Sequence, residues 1–477
     1  MSKEKQPAVE REGTFGKSLI VFLICVAEIM VGIVVLKLDA HIPIVGAAGI
    51  AIIYGMTLGI PYSELQGAMV KSVVDSVEAI MVLLMIGPMI AAWMACGTVP
   101  YIIYTGLGLL NPGIFLIFVV LMCSLLSSVT GSSWTTVGTI GVAFIGIAMG
   151  LGIPVPVAAG AIVCGAYFGD KCSPISDIVV FNTGITKVDI YAHCKNILYT
   201  TVPALVVTLV IFGVIGMGHS DGSVDQAAVD TIRNGLAGAY KFSPLLWLPF
   251  IVLIASVILK LPSIPALLMG AIAGVLVAVF YQGVDVGTAL GFLYGGYSAD
   301  TGLEAVDKIL NRGGMGSMLY TVCLVICSMS MAGVFDRTKI LLKLVEKLQA
   351  VTQKRVGLIV ATMGTGILAS YFAADPYIAA LIPTKAFENE YDKQGLDRTV
   401  LSRTVSDGGI CFAPMVPWGS NGVFCSQTLG ISVGAYLPYY FMGFLTPIFA
   451  IVCAVTGIGI KYAADSMNPK NKDKAAK

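Results

Sequence analysis

The stretch "LLSSVTGSSWTTVGTIGVAF", residues 125–144, interrupts apolar sequence with glycine and hydroxyls rather than with charge. The apolar run before it, 113–130, is long enough to cross a membrane, and apolar sequence resumes at 134 and continues to 168. In lipid each unpaired backbone group costs several kcal/mol, so an interrupted helix is tolerated only inside protein or beside a water-filled cavity. The interruption therefore predicts a broken helix in a membrane protein. Other apolar segments lie near 19–38, 43–60, 79–96, 198–217, 243–259, 262–281, 315–335, 356–374, 400–416 and 434–459. The 134–168 stretch is too long for one crossing and is broken by "GLGIPVP" at 150–156. Many of the 54 glycines and 21 prolines fall inside these runs.

Composition agrees. Of 477 residues, 57% are hydrophobic and 12% charged, with a mean hydropathy of +0.87; soluble proteins carry about 25% charged residues. Segments near 20 residues match a hydrocarbon thickness of roughly 30 Å, which makes the chain an all-α polytopic membrane protein. A net charge of +1 offers no basic excess for nucleic acid. The 11 cysteines lie mostly in apolar runs, and His41, His193 and His219 are scattered without metal-type spacing. No "GxxxxGK[ST]" stretch occurs, so ATP hydrolysis is not expected to drive the protein, and no enzymatic activity or cofactor is predicted. The N-terminal apolar run from Leu19 is too long for a signal-peptide core and reads as a retained helix. Lys3, Lys5, Arg11 and Lys17 at one end, with Lys461, Lys470, Lys472 and Lys474 at the other, predict that both termini face the cytoplasm.

The two halves correspond. "GIPYSELQGAMVKSVVDSVEAIM" (59–81) leads to a span ending in "ACGTVP", and "GGYSADTGLEAVDKILNRGGMGSM" (295–318) to one ending in "MAGVFD". Tyr62 and Tyr297 are 235 positions apart, and Gly97 and Gly333 are 236 apart. "SSVTGSSWT" (127–135) precedes "ASYFAADPY" (369–377) by 242, and "SPISD" (173–177) precedes "VPWGS" (416–420) by 243. The expected organisation is a tail (1–18), a first transmembrane helix (19–42), one transmembrane repeat (43–217), a connecting loop (218–242), a second repeat (243–459) and a C-terminal tail (460–477). The stretch 336–355, "DRTKILLKLVEKLQAVTQKR", reads either as a helix at the cytoplasmic interface or as a solvated connector.

Paired interruptions in two halves point to a transporter's binding site, where broken helix ends offer dipoles and carbonyls to ions. A hard monovalent cation such as Na⁺ needs about five or six oxygens to replace its water. Residues 127–136 supply Ser127, Ser128, Thr130, Ser132, Ser133, Thr135 and Thr136 beside Gly131; close helix packing by small residues is the alternative. Asp170, Lys171, Ser173 and Asp177 cluster in "GAYFGDKCSPISD" (165–177). A carboxylate inside a membrane protein defaults to a functional role, and one that accepts either a proton or Na⁺ couples the two. Lys171 would pair with an aspartate or meet an anionic substrate. The same residues would also serve a loop between two helices with Ser or Asp as N-cap, and spacing alone leaves both readings open. In the second half, Asp375, Asp407, Ser420 and Asn421 are candidates. Asp375 before Pro376 would equally start a helix, and Asp407 near Arg398 and Arg403 would equally be a paired surface charge. Glu28 stands alone in the first span.

"LDAHIP" (38–43), "ACGTVP" (95–100), "TGSSWTTVGTIGVA" (130–143), "GAYFGDKCSPISD" (165–177) and "LYTTVPA" (198–204) resemble the NhaC family of sodium/proton antiporters. The resemblance implies two inverted repeats, each with a re-entrant hairpin, after the extra N-terminal helix. It implies Na⁺/H⁺ exchange across the bacterial inner membrane, or sodium-linked exchange of small organic acids (malate/lactate type) or amino acids, with Ser132, Ser133, Asp170, Ser173 and Asp177 at or near the ion site. Membrane lipid, Na⁺, H⁺ and a small carboxylate or amino acid are the implied partners, with a homodimer as an option. Two departures stand at that site. After "SPISD" the family's threonines and asparagine are replaced by Ile178, Val179 and Val180, with Asn182 and Thr183 arriving later, and "PWN" becomes "PWGSN" (417–421). Both point toward an organic co-substrate.

Overall fold

The computed structural model describes residues 13–220, 226–259, 261–346 and 352–463. Lys3, Lys5, Arg11, Lys470, Lys472 and Lys474 lie outside the described residues. Helices make up the fold; among the described residues the only β pairing is one isolated bridge between Leu396 and Tyr462. Eight described helices are long and apolar enough to cross a membrane, and two further helix pairs reach that length and apolarity only together, bent by 94° and 49° as in a broken span or a re-entrant loop. The long 134–168 run is two helices joined by a turn at 151–154, where Gly152 takes φ +69°. Within the stretch read as a connecting loop, Gln226–Ala239 is helical. Of the 336–355 link, Ile340–Glu346 forms a helix whose Ile340 and Leu341 are buried; residues 347–351 lie outside the description.

The helices that build the site are α1 (Tyr62–Asp75), α2 (Val77–Cys96), α3 (Pro112–Thr130), α4 (Ser133–Gly150), α5 (Val155–Cys172), α6 (Asp177–Thr186) and α7 (Ile190–Ser220) in the first half. In the second they are α8 (Met315–Arg337), α9 (Arg355–Ala373), α10 (Pro376–Lys393), α11 (Arg398–Val405), α12 (Ser420–Leu429) and α13 (Phe441–Thr456). The correspondence between halves reaches single residues. α3 ends on Gly131 (φ +66°) and Ser132 then N-caps α4, while α9 ends on Ala374 (φ +57°) and Asp375 N-caps α10. Ser132 (φ −144°, ψ 113°) and Asp375 (φ −137°, ψ 131°), 243 positions apart, share one extended backbone state. The breaks at 173–176 and 416–419 stand at the same offset.

Aromatic packing crosses the halves in the same register. Trp134 stacks on Phe424 with centroids 4.6 Å apart, and Tyr377 meets Phe181 edge-on at 5.0 Å. Trp134 and Tyr377 are 243 apart, and so are Phe181 and Phe424. Each half thus closes on the other through equivalent side chains.

Each hairpin tip is pinned to the neighbouring break. Ser173 Oγ donates to Ser128 O at 2.8 Å, and Ser420 N donates to Ala374 O at 2.9 Å. The approach of α5 to α3 needs glycine. A Cβ at Gly169 would fall 2.4 Å from Ser124 O and 2.5 Å from Ser128 N. Small residues of this kind let membrane helices touch through their backbones. Gly169→Ala is therefore expected to lower stability by ~1–3 kcal/mol through overpacking. Gly364→Ala in α9, whose Cβ would meet open space, is expected to be neutral or slightly stabilising. Thermal midpoints of the purified variants in detergent micelles check both.

Candidate functional site

Two helix breaks and two hairpin tips bring backbone termini together around a cavity of about 760 Å³. Its wall takes Ser132, Ser133, Asp170, Lys171 and Asp177 from the first half, and Asp375, Ser420 and Asn421 from the second. These are eight of the residues singled out from the sequence. Their gathering follows from the local fold, since each sits at a helix end that opens inward. The N-termini of α4, α6, α10 and α12 and the C-termini of α3, α5 and α9 all lie at these breaks, so positive and negative ends of helix dipoles alternate around the cavity.

Asp170 is the most completely held acid. Ser133 Oγ donates to its Oδ2 at 2.6 Å, and Ser176 Oγ donates to its Oδ1 at 2.5 Å. Ser133 comes from the hairpin tip and Ser176 from the break that follows α5, so the carboxylate ties three backbone segments together. Each donating hydroxyl keeps lone pairs free for a cation beside the carboxylate. Ser176 is the N-cap of α6 but makes no capping bond of its own; its hydroxyl serves Asp170 instead. This geometry favours the site reading of "GDKCSPISD" over a plain helix-capping loop.

The remaining candidates divide. Asp375 accepts from Tyr377 N (2.9 Å) and Ile378 N (3.0 Å), both on Oδ1. It therefore both caps α10 and borders the cavity, so the two readings of that position hold together. Asp177 is exposed in the first turn of α6, facing the cavity and a smaller one of about 290 Å³ lined also by Thr130 and Ser132. Ser128 Oγ donates to Ser124 O, Ser173 Oγ is taken by Ser128 O, and Asn182 Nδ2 donates to Ser402 O at 2.9 Å. None of these three borders the main cavity; they hold the helices that form it. Asn421 borders it, yet its Oδ1 accepts from both Trp134 Nε1 (2.5 Å) and Tyr167 OH (2.8 Å), so that oxygen is committed to protein.

Asp407 is neither a surface charge nor a cavity residue. It is fully buried, and Lys171 Nζ donates to its Oδ1 at 2.6 Å. Thr200 Oγ1 donates to the same oxygen at 3.0 Å, and Arg403 Nε stands 4.0 Å from Oδ2. Arg398, the other expected partner, pairs instead with Asp392 at 2.7 Å. The Lys171–Asp407 pair joins α5 of one half to the π-turn Ser406–Ile410 of the other.

Sequence reading missed Asp75 and Glu78, which line the cavity from the α1–α2 corner. They lay in a stretch that served only as a repeat landmark. The usable signal was two acids immediately before an apolar span. Trp134, Tyr167 and Tyr377 also line it, and in sequence they are indistinguishable from ordinary apolar-run aromatics.

Broken helices paired across two repeats, enclosing an acid-lined cavity in a polytopic helical protein, define a secondary transporter. The chain belongs to the Na⁺/H⁺ antiporter family, whose match covers residues 165–458. It is 37% identical over 453 residues (95% of this chain, 98% of the relative) to the Na⁺/H⁺ antiporter NhaC of Alkalihalophilus pseudofirmus. It is 35% identical over 453 residues (95% and 97%) to the malate-2H⁺/Na⁺-lactate antiporter of Bacillus subtilis. It is 34% identical over 451 residues (94% and 93%) to the arginine/ornithine antiporter ArcD of Halobacterium salinarum.

The buried charges yield an asymmetric expectation. Asp407→Asn leaves Lys171 and Arg403 without a counter-charge and is expected to cost ~3–5 kcal/mol. Lys171→Met leaves Asp407 with Arg403 and is expected to cost clearly less. Unfolding of the two purified variants in the same detergent, side by side, checks the order.

Proposed function

We propose that the protein is a secondary active antiporter exchanging Na⁺ for H⁺ across the bacterial inner membrane by alternating access, with no resident cofactor. The observation that carries this reading is the carboxylate of Asp170, clamped by Ser133 and Ser176 on the cavity wall. A carboxylate so held accepts one cation at a time. With a proton bound it is neutral; with Na⁺ bound, its oxygens and the lone pairs of Ser133 and Ser176 replace part of the ion's water shell. Mutual exclusion at one group makes the exchange obligatory. Asp177, Asp375, Asp75 and Glu78 around the same cavity add a negative field that concentrates cations at the mouth.

A second reading is sodium-coupled exchange of a small organic acid or amino acid, which the names of two relatives bring forward. The cavity volume favours it as an addition to ion exchange, because about 760 Å³ falls in the range of small-molecule sites and far exceeds what a single Na⁺ requires.

Purified protein in sealed liposomes, loaded with a pH-sensitive dye, tests the first reading. A Na⁺ pulse alone is expected to shift the internal pH. Asp170→Asn is expected to reduce the initial rate at least about tenfold, and Ser133→Ala or Ser176→Ala to raise the half-saturating Na⁺ several-fold. An undiminished rate in Asp170→Asn overturns the assignment of that group.

A further inference from the structure

The two helix breaks share backbone geometry but not chemistry. At the offset of 243 that relates the halves, Asp170 corresponds to Ala413, Asp177 to Ser420 and Ile178 to Asn421. The second break has therefore lost both acids of the first and gained a hydroxyl and an amide. A site built like the first would suit a cation. A site built like the second offers donors.

Asn421 shows which way those donors face. A Trp indole nitrogen only donates, so the atom that meets Trp134 Nε1 is the amide oxygen, and Tyr167 OH bonds that same atom. The Nδ2 group is thereby set on the other side. It has no hydrogen-bond partner among the described residues, although Asn421 is only 6% exposed and borders the cavity. Ser420, 5% exposed, borders it too, and its hydroxyl also lacks a partner among the described residues. Both stand in the first turn of α12, a helix of 10 residues in which Ser420 N is taken by Ala374 O while the N-cap, Gly419, has no side chain to accept from the amides of Asn421 and Gly422. Donors and the positive end of the helix dipole converge there, as at known anion-binding helix starts.

The rest of the cavity argues against a simple organic anion. Asp75, Glu78, Asp170, Asp177 and Asp375 line it, and Lys171, the one base among the described residues that line it, is bound to Asp407. A dicarboxylate would meet more negative charge than the donors at α12 could offset. A solute that carries its own ammonium avoids that penalty.

We infer that the cavity holds a second subsite, formed by Ser420, Asn421 and the N-terminus of α12, which takes the carboxylate of a small amino acid while its ammonium faces Asp177 and Glu78. The subsite rests on the antiport reading above, because it shares that cavity, and it assigns the organic co-substrate to the amino-carboxylate class. The cation stays at Asp170 in the first half; the carboxylate binds at the corresponding place in the second.

The test uses the purified full-length protein in Na⁺-containing buffer, with L-lysine, L-alanine, cadaverine, L-malate and L-lactate as probes of binding by thermal shift and titration calorimetry. L-Lysine or L-alanine is expected to bind, cadaverine (lysine without its carboxylate) at least tenfold more weakly, and malate and lactate more weakly than either amino acid. Asn421→Asp retains an acceptor for Trp134 and Tyr167 but removes the donors, and is expected to weaken amino-acid binding at least tenfold. Should that variant fail to fold, Ser420→Ala, which deletes one hydroxyl, is expected to weaken it several-fold. Equal binding of lysine and cadaverine overturns the carboxylate subsite, and preferential binding of malate or lactate overturns the amino-acid class. Absence of binding by every probe overturns the proposal while the Na⁺ pulse response without solute, measured on the same preparation, judges the antiport reading separately.

Discussion

The structure depends on one constraint: a helix that stops inside an apolar protein leaves backbone donors and acceptors that must be paired. Two hairpin tips and two breaks create such ends in this chain. Three are answered by a hydroxyl, a carboxylate or a neighbouring carbonyl: Ser132 caps α4, Asp375 caps α10 and Ala374 O accepts from Ser420 N. Ser132, Ser133, Asp170, Asp375, Ser420 and Asn421, which stand at these ends, also line the cavity. Function and fold are thus consequences of the same interruption.

Once the ends are fixed, the packing around them has little freedom. Gly165 and Gly169 let α5 lie directly on α3, with Cβ positions 2.4 Å from the carbonyls of Val120 and Ser124. That approach sets Asp170 against Ser133. The Trp134–Phe424 and Tyr377–Phe181 contacts then lock the two halves in register, and the buried Lys171–Asp407 pair adds a link that tolerates no shift without stranding a charge. The repeat supplies a symmetric frame, and the exchange of Asp170, Asp177 and Ile178 for Ala413, Ser420 and Asn421 makes its two breaks chemically unlike.

Much of this was legible from residues 125–144 and 165–177 alone. The membrane class, the broken helices, the turn near 150–156 and the repeat offset all follow from the spacing of apolar runs and of glycine, proline and hydroxyl landmarks. Ser132, Ser133, Asp170, Asp177, Asp375, Ser420 and Asn421, which line the cavity, stand out in the sequence because polar residues at an interruption contrast with an apolar background. The same contrast failed for Asp75 and Glu78, which sit in a mixed stretch, and for Trp134 and Tyr167, which blend into apolar runs. The same contrast marks Asp407 and Asn182, which the structure places in buried contacts between helices rather than on the cavity wall.

Sequence by itself determined where the chain must break and which polar residues stand at each break, because hydrophobic length and backbone satisfaction act locally along the chain. Only the tertiary structure decided what each polar group bonds to. Whether Lys171 is free or bound to Asp407, 236 positions away, and whether Asn421 presents its oxygen or its nitrogen to the cavity, depends on side chains from the opposite half. Those partners are fixed by packing across the repeat interface, a geometry that no local pattern encodes.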